Sequence, residues 1–115
     1  LDVMAVRGDR LAAQRPAVEA AVRAHLAARQ AFVADPAAHA ARLAPRLGLA
    51  PAGVPAAFAD LELPDRVRNQ ALLGTPEGVA ASARRLHAVM RRAGLVQGGF
   101  DAAGLVDAAF VAAAA

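Results

Sequence analysis

The sequence predicts a predominantly α-helical chain that carries one strand at its N-terminus. Apolar residues make up 57% of its 115 residues, but aromatic residues make up only 3%. Alanine, the strongest helix former, accounts for much of this difference and buries little surface. Apolar residues also recur every three or four positions behind helix-capping residues. We therefore expect tightly packed helices within a single domain.

The predicted strand covers residues 1–7. The run LDVMAVR is short and largely apolar, and it ends at Gly8 and Asp9, which is typical of a buried strand. A lone strand cannot satisfy its own backbone N–H and C=O groups. We therefore expect it to pair with residues outside this chain, and we interpret the chain as a processed or partial product.

The first long helix is predicted at residues 16–34. A separate short turn of helix is expected over residues 9–14, and Pro16 suits the first position of the helix that follows. The residues expected to face the core are Val18, Val22, Leu26, Phe32 and Val33.

A second helix is predicted at residues 36–47, with Ala40, Leu43 and Leu47 facing inward. Asp35 and Pro36 form a cap and first-turn pair, and Gly48 suits the end of the helix. Pro45 removes a backbone hydrogen bond inside this helix. We therefore expect a kink or an early end near Ala44.

The middle of the chain is predicted to contain a helix at residues 51–61 and a shorter one at residues 64–73. Val54, Phe58 and Leu61 have helical spacing in the first of these. Residues 61–64 between them are expected to be extended.

A long helix is predicted at residues 76–93. Thr75 is expected to cap its first turn, with Pro76 in the first helical position. Gly94 is expected to adopt the left-handed conformation of a Schellman cap, which would bring Leu95 against Met90. The predicted buried stripe consists of Val79, Ala83, Leu86 and Met90.

The last helix is predicted at residues 102–112. Asp101 is expected to cap it, with Phe100 and Leu105 in the staple positions on either side. Its apolar side is expected to continue through Val106, Ala109 and Phe110.

The charge and cysteine content exclude several classes of protein. All 13 basic residues are arginine, yet the formal net charge is only +3, so a strongly basic nucleic-acid binder is not indicated. No cysteine is present, which excludes disulfides and thiolate chemistry. No apolar run is long enough to cross a bilayer, and no signal-peptide pattern opens the chain.

No pattern of catalytic or metal-binding residues is recognisable. The three histidines, His25, His39 and His87, lie on different predicted helices without a second ligand at metal-site spacing. Glu62 and Asp65 could form an acid and base pair, but solvated loop charges explain them more simply. We predict no catalytic, cofactor or metal site and name no ligand-binding residue.

Hydroxyl groups and glycines give no stronger signal. Ser82 is the only serine and Thr75 the only threonine, and neither has a partnered base. The pair at residues 98–99 is not a phosphate-binding loop, because it lacks spaced glycines and a lysine and follows a helix.

Four arginines repeat after seven residues on the long C-terminal helix: Arg84, Arg85, Arg91 and Arg92. They are expected to form a ridge that could bind phosphate or an acidic partner. A solvated helix face is the simpler interpretation, because no aromatic residues alternate with them.

The order of these signals resembles a known family. The run TPEGVAASARRLHAVMRRAGLVQGGFDAAGLVDAAFV is similar to the C-terminal end of solute-binding proteins of ABC importers, in the nitrate, sulfonate and taurine group. The upstream runs DVMAVRGDRLAAQRPAVEAAVRAHLAARQAF and ADPAAHAARLAPRLGLAP resemble the preceding strand and helices of that group. Pro45 departs from the family pattern, which has a helix-forming residue there.

The resemblance implies a two-lobed α/β receptor with the type II periplasmic binding protein fold. Such a receptor closes on a small solute and delivers it to an ABC permease of the inner membrane, which places it in the periplasm or at the cell surface. This chain would be a C-terminal portion of the solute-binding domain, without its N-terminal part. The solute contacts would come mostly from the upstream part, and no nucleic acid would be involved.

Three functions therefore remain open from the sequence. The first is the substrate-binding component of an importer for a sulfonate, nitrate or taurine-like solute. The second is a small helical interaction or regulatory protein that uses the arginine ridge. The third is an enzyme, which ranks last because no catalytic arrangement is recognisable.

Overall fold

The computed structural model describes residues 3–114, which form helices in two compact units, Leu1–Asp65 and Arg66–Ala115. The N-terminal unit consists of α1 (Gly8–Ala34), α2 (Pro36–Leu47), a 3₁₀ turn (Pro51–Gly53) and α3 (Val54–Phe58). The C-terminal unit consists of α4 (Arg66–Gly74), α5 (Val79–Arg92) and α6 (Ala109–Ala112). The predominantly helical character predicted from the sequence is confirmed.

The predicted N-terminal strand is wrong for the part of residues 1–7 that the structure describes. Residues 3–7 are not in a strand, and no other strand is present in residues 3–114 to pair with them. The Val3 side chain is 60% exposed and that of Met4 is 58% exposed. Without a neighbouring strand, this segment cannot form the hydrogen bonds of a sheet. Leu1 and Asp2, the first two residues of the predicted strand, lie outside the described residues.

Helix α1 begins at Gly8, not at Pro16 as predicted, and includes the short turn that was expected to be separate. Pro16 lies inside the helix and lacks the N–H that would bond to the carbonyl of Ala12. Strong helix formers on both sides favour one continuous helix despite this missing bond. The predicted end at Ala34 is confirmed.

Helix α2 has the predicted bounds. The backbone N–H of Ala38 donates to Asp35 Oδ1 at 3.0 Å, which is the expected N-cap. Gly48 closes the helix with a φ of 66°. The predicted early end near Ala44 is wrong, because the helix continues through Pro45 and ends at Leu47.

Alanine and valine form the core of the N-terminal unit. Ala40, Ala44 and Val54 are 4%, 2% and 0% exposed. Phe32, Leu43 and Phe58 pack against them and are partly buried. Small side chains let α2 and α3 approach closely, and Val54 is the one large side chain among the described residues that is completely enclosed.

The predicted helix at residues 51–61 is interrupted. A 3₁₀ turn comes first, and α3 then ends at Phe58. Restarting the helix at Val54 places Pro55 in a first turn, where its missing N–H has no cost. Leu61 lies beyond the helix and is 56% exposed, so its predicted burial is wrong.

The surfaces of the first two helices also differ in part from the prediction. Val18 and Val22 are buried, as expected, but Val33 is 48% exposed. Leu47 was predicted to face inward and is 43% exposed, whereas Ala40 is buried as expected. Both exposed residues lie in the last turns of their helices, where fewer neighbouring segments cover the side chains.

In the C-terminal unit, α4 occupies much of the predicted 64–73 segment, and α5 begins at Val79, not at residue 76. The hydroxyl of Thr75 donates to the carbonyl of Ala71 at 2.8 Å. Thr75 therefore closes the end of α4 and does not cap α5. Gly78 occupies the N-cap position of α5 without a side-chain cap.

The end of α5 forms the predicted Schellman cap. Gly94 has a φ of 70°, a left-handed conformation that glycine adopts without steric cost. The N–H of Leu95 donates to the carbonyl of Met90 at 2.9 Å, and that of Gly94 donates to Arg91 at 3.0 Å. The Leu95 side chain is 71% exposed, so the cap depends on its hydrogen bonds and little on the expected apolar contact.

The predicted buried stripe of α5 is correct only in part. Val79, Ala83 and Met90 are half-buried. Leu86 is 60% exposed, so its predicted burial is wrong. His87, one residue further on, is half-buried instead and stacks on Phe100.

Helix α6 is much shorter than the predicted 102–112 helix. Gly104 has a φ of 69°, which a right-handed helix cannot contain. Asp101 instead accepts the N–H of Ala103 at 2.8 Å in a local turn, and Asp107 accepts that of Ala109 at 2.8 Å. The predicted staple does not form around a helix start, and Leu105 is 48% exposed.

The predicted apolar side of the last helix is correct for Phe110, which is buried, and wrong for Ala109, which is exposed. Val111 is also buried, and α6 packs against α4. Across residues 3–114, no helix combines the length and the apolar character needed to cross a membrane.

Candidate functional site

The N-terminal unit has a shallow, open cleft of about 300 Å³. Its lining consists of Arg29, Phe32, Val33, Pro36, Pro55, Phe58, Ala59, Leu61 and Leu63. Its volume lies at the lower end of the range for small-molecule sites, about 300–1,000 Å³. All but one of its lining side chains are apolar.

Local structure explains how the cleft walls are placed. Arg29 and Phe32 are three residues apart on α1, so they lie on the same face one turn from each other. Phe58 is the last residue of α3. Its ring centroid lies 4.8 Å from that of Phe32, with an interplanar angle of 58°. This tilted pair is a favourable aromatic geometry and gives the cleft a rigid wall.

Arg29 is the single charged side chain that lines the cleft. Its Nε–H donates to the backbone carbonyl of Leu63 at 2.9 Å, and the contact is partly buried. This bond holds the guanidinium against the segment that follows α3. An arginine carries five N–H donors, so the terminal nitrogens keep donors for another acceptor.

No carboxylate balances this charge within the cleft. None of the lining residues is acidic, and the ion pairs of Arg7 with Asp9 and of Arg15 with Glu19 do not include Arg29. A cation beside apolar walls attracts an anion more strongly than a cation in open water. The arrangement can therefore hold a small anion that has an apolar body.

The C-terminal unit presents a second charged feature, which we call the arginine face. It consists of Arg84, Arg85, Arg91 and Arg92 on α5, and all four are exposed. The sequence of α5 contains no acidic residue. Arg85 donates to the hydroxyl of Ser82 at 2.9 Å, and Arg91 and Arg92 line a shallow depression beside Ala88. The four arginines of the predicted ridge are therefore exposed on a helix that has no acidic residue.

The histidines do not form a site with acidic residues. His25 is exposed on α1, and His39 is half-buried on α2. His87 stacks on Phe100 with ring centroids 5.1 Å apart and an interplanar angle of 26°. No group of three or more histidine, aspartate or glutamate side chains within residues 3–114 is arranged to hold a metal ion.

The other residues considered from the sequence lie in exposed segments or form local hydrogen bonds. Glu62 and Asp65 are exposed in the segment after α3. The Ser82 hydroxyl accepts a hydrogen bond from Arg85, and the Thr75 hydroxyl donates to a backbone carbonyl. The glycines at residues 98–99 are exposed in the connection between α5 and α6.

The sequence interpretation missed Arg29. A signal was present, since Arg29 lies one helical turn before Phe32, the only phenylalanine of α1. The pairing of that phenylalanine with Phe58 and the bond to Leu63 are tertiary contacts. They cannot be seen in the spacing of a single helix.

Comparisons with known proteins found no protein similar to this chain. The chain matches no protein-family model, no curated protein sequence and no solved structure.

Proposed function

We propose that this chain is the C-terminal portion of a solute-binding protein of an ABC importer, of the nitrate, sulfonate and taurine group. The proposal begins with the ordered resemblance of its motifs to that group. Two of those motifs have the expected local structure, the Asp35 cap of α2 and the Gly94 end of α5. The motif that opens the chain should begin with a strand, but residues 3–7, the part of it that the structure describes, are not in a strand.

The observation that carries the proposal is the exposure of large apolar side chains on both units. Leu86 and Val89, three residues apart on α5, are 60% and 51% exposed, and Val67 on α4 is 68% exposed. Met4 and Leu61 are exposed by more than half in the N-terminal unit. Helices that bury alanine and expose leucine and valine are suited to packing against further protein, such as the sheet of a receptor lobe.

The direct test is the genomic sequence upstream of the Leu1 codon. We expect the reading frame to continue upstream through alternating strand and helix patterns, as in a two-lobed α/β receptor. A stop codon shortly upstream, or an upstream sequence without that pattern, would refute the proposal. If the longer protein is found, its thermal stability with taurine, an alkylsulfonate and nitrate would identify the solute class, because a bound ligand stabilises the folded state.

The isolated chain offers a second test. If its apolar surfaces normally contact other parts of the protein, residues 1–115 alone should self-associate and bind a hydrophobic dye. They should also unfold over a broad temperature range. A monomer that does not bind the dye and melts sharply would contradict the proposal.

A second candidate function follows from the arginine face. Four exposed arginines without an acidic residue on the same helix favour an acidic protein or nucleic-acid partner. The test compares polyanion binding across a salt titration for the wild type and for a variant with all four changed to glutamine. A control variant changes Arg42 and Arg46, which are exposed on α2. Binding that does not weaken with salt, or that the control reduces equally, would reject this function.

A further inference from the structure

The cleft of the N-terminal unit combines apolar walls with one cation, and its chemistry suits a particular class of ligand. We propose that it binds a small monocarboxylate with a ring-sized apolar body, which Arg29 holds through its carboxylate. This inference goes beyond the proposed function, because all the lining residues belong to the N-terminal unit. The site is therefore made entirely of residues of this chain.

The geometry of Arg29 favours an anionic group with two oxygens. The Nε–H bond to the carbonyl of Leu63 fixes one side of the guanidinium. The planar fork of an arginine matches a carboxylate through two parallel N–H···O bonds. The bond to Leu63 restrains the side chain before the ligand arrives, so less conformational entropy is lost on binding.

The walls of the cleft select the body of the ligand. The tilted pair of Phe32 and Phe58 offers an aromatic surface, and Pro36 and Pro55 add rigid apolar contacts. A cleft of about 300 Å³ has room for one ring and little more. A ligand with a second charge would have to place that charge against apolar side chains, which is unfavourable.

The charge of the lining argues against a neutral ligand as the preferred occupant. A neutral ligand would leave the guanidinium paired with water and with the Leu63 carbonyl only, because the cleft is open. A carboxylate supplies that charge and adds hydrogen bonds that are stronger than those to a neutral amide. Benzoate and benzamide differ in this respect and have nearly the same shape, so they form a matched pair of probes.

The experiment is a titration of ¹⁵N-labelled residues 1–115 with benzoate and benzamide, followed by amide chemical shifts. We expect benzoate to bind with a Kd of roughly 1 mM, typical of a ligand of about ten heavy atoms. The largest shifts should occur at residues that line the cleft. Benzamide should bind about tenfold more weakly, because it forms no charge-assisted bond.

Variants of Arg29 separate the charge from the shape of the cleft. Arg29→Gln should lower benzoate affinity about tenfold and leave benzamide affinity unchanged, whereas Arg29→Lys should retain part of the preference for benzoate. Arg42→Gln is the control, because Arg42 is an exposed arginine of α2 outside the cleft. It should leave both affinities unchanged.

Several results would overturn the proposal. Equal binding of the two probes would show that charge does not matter, and unchanged benzoate affinity in Arg29→Gln would show that this residue does not hold the ligand. Shifts centred outside the cleft, or none up to the solubility limit, would show that the cleft is not the site. A monomeric sample whose spectrum lacks dispersed signals from the N-terminal unit would show that the cleft does not form. None of these results bears on the upstream reading frame, so this proposal and the solute-receptor proposal can fail separately.

Discussion

Replacing Gly78 by alanine should destabilise the C-terminal unit, because the folded structure leaves no space for a Cβ at this position. Gly78 has a φ of −76° and is buried. A Cβ at this position would collide with the carbonyl oxygen of Leu72, and it would lie 2.8 Å from the Leu72 carbonyl carbon and 3.2 Å from the Thr75 oxygen. These are backbone atoms at the end of α4 and in the turn that follows, so the collision cannot be relieved by a side-chain rotation.

The expected magnitude comes from two opposing effects. Forcing extra volume into a packed site typically costs about 1–3 kcal/mol. Alanine also reduces the freedom of the unfolded chain, which stabilises by about 0.4–1 kcal/mol. The net loss for Gly78→Ala is therefore about 1–2 kcal/mol of unfolding free energy. Gly74→Ala is the matched control, because no atom lies within 4 Å of the Cβ it would add, and it should be neutral or slightly stabilising.

Amide hydrogen exchange across α5 measures the difference in stability between the two variants, because α5 lies in the same unit as both glycines. A loss of about 1.4 kcal/mol corresponds to a tenfold fall in protection. We expect such a fall in Gly78→Ala and none in Gly74→Ala. If the two variants protect α5 equally, or if Gly78→Ala protects it better, the close approach of α4 to the start of α5 is not a feature of the folded protein.

Three further substitutions test the helix packing and the caps. Val54→Ala removes two methyl groups from a fully enclosed side chain and should lower the free energy of unfolding by about 2 kcal/mol or more. Urea unfolding, monitored through amide signals of α2, measures this loss, and an unchanged midpoint would contradict the enclosed core. Asp35→Ala should lower the stability of α2 by about 1 kcal/mol, because it removes the N-cap. Asp60→Ala is the control, because Asp60 lies in an exposed turn, and equal effects of the two variants in circular dichroism melts would argue against the cap. Gly94→Ala should destabilise α5 by about 1 kcal/mol, because alanine is strained at the positive φ of this position. If the last amides of α5 are protected from hydrogen exchange as well as in the wild type, the Schellman cap is refuted.

The parts of the fold that were predicted correctly depend on local signals. The bounds of α2 follow from Asp35 and Gly48, which act within one turn of the helix ends. The end of α5 at Gly94 is equally local. A cap residue and its partners lie within a few positions of each other, so one sequence contains all the information needed.

The errors arose where two local structures competed. Thr75 could cap α5 or close α4, and the structure shows the second arrangement. Pro16 suits a helix start, but the residues before it also favour a helix, and α1 continues through it. The run after Asp101 has helical spacing, yet Gly104 adopts a left-handed conformation that ends any helix there. Spacing alone does not decide between such alternatives.

The cleft could not be predicted, because it depends on contacts between distant segments. Arg29 and Leu63 are separated by 34 positions. The contact of Phe32 with Phe58 likewise joins α1 to α3. In contrast, the arginine face could be predicted as a ridge, because a seven-residue repeat on one helix fixes its geometry without any tertiary contact.

The arginine face has a consequence for how this surface could be controlled. Guanidinium groups stay protonated at every physiological pH, so acidification or alkalinisation within that range leaves the charge of α5 constant. The sequence contains no lysine, so acetyl transfer to a side-chain amine cannot neutralise it either. An interaction at α5 would therefore be regulated neither by a physiological pH change nor by lysine acetylation.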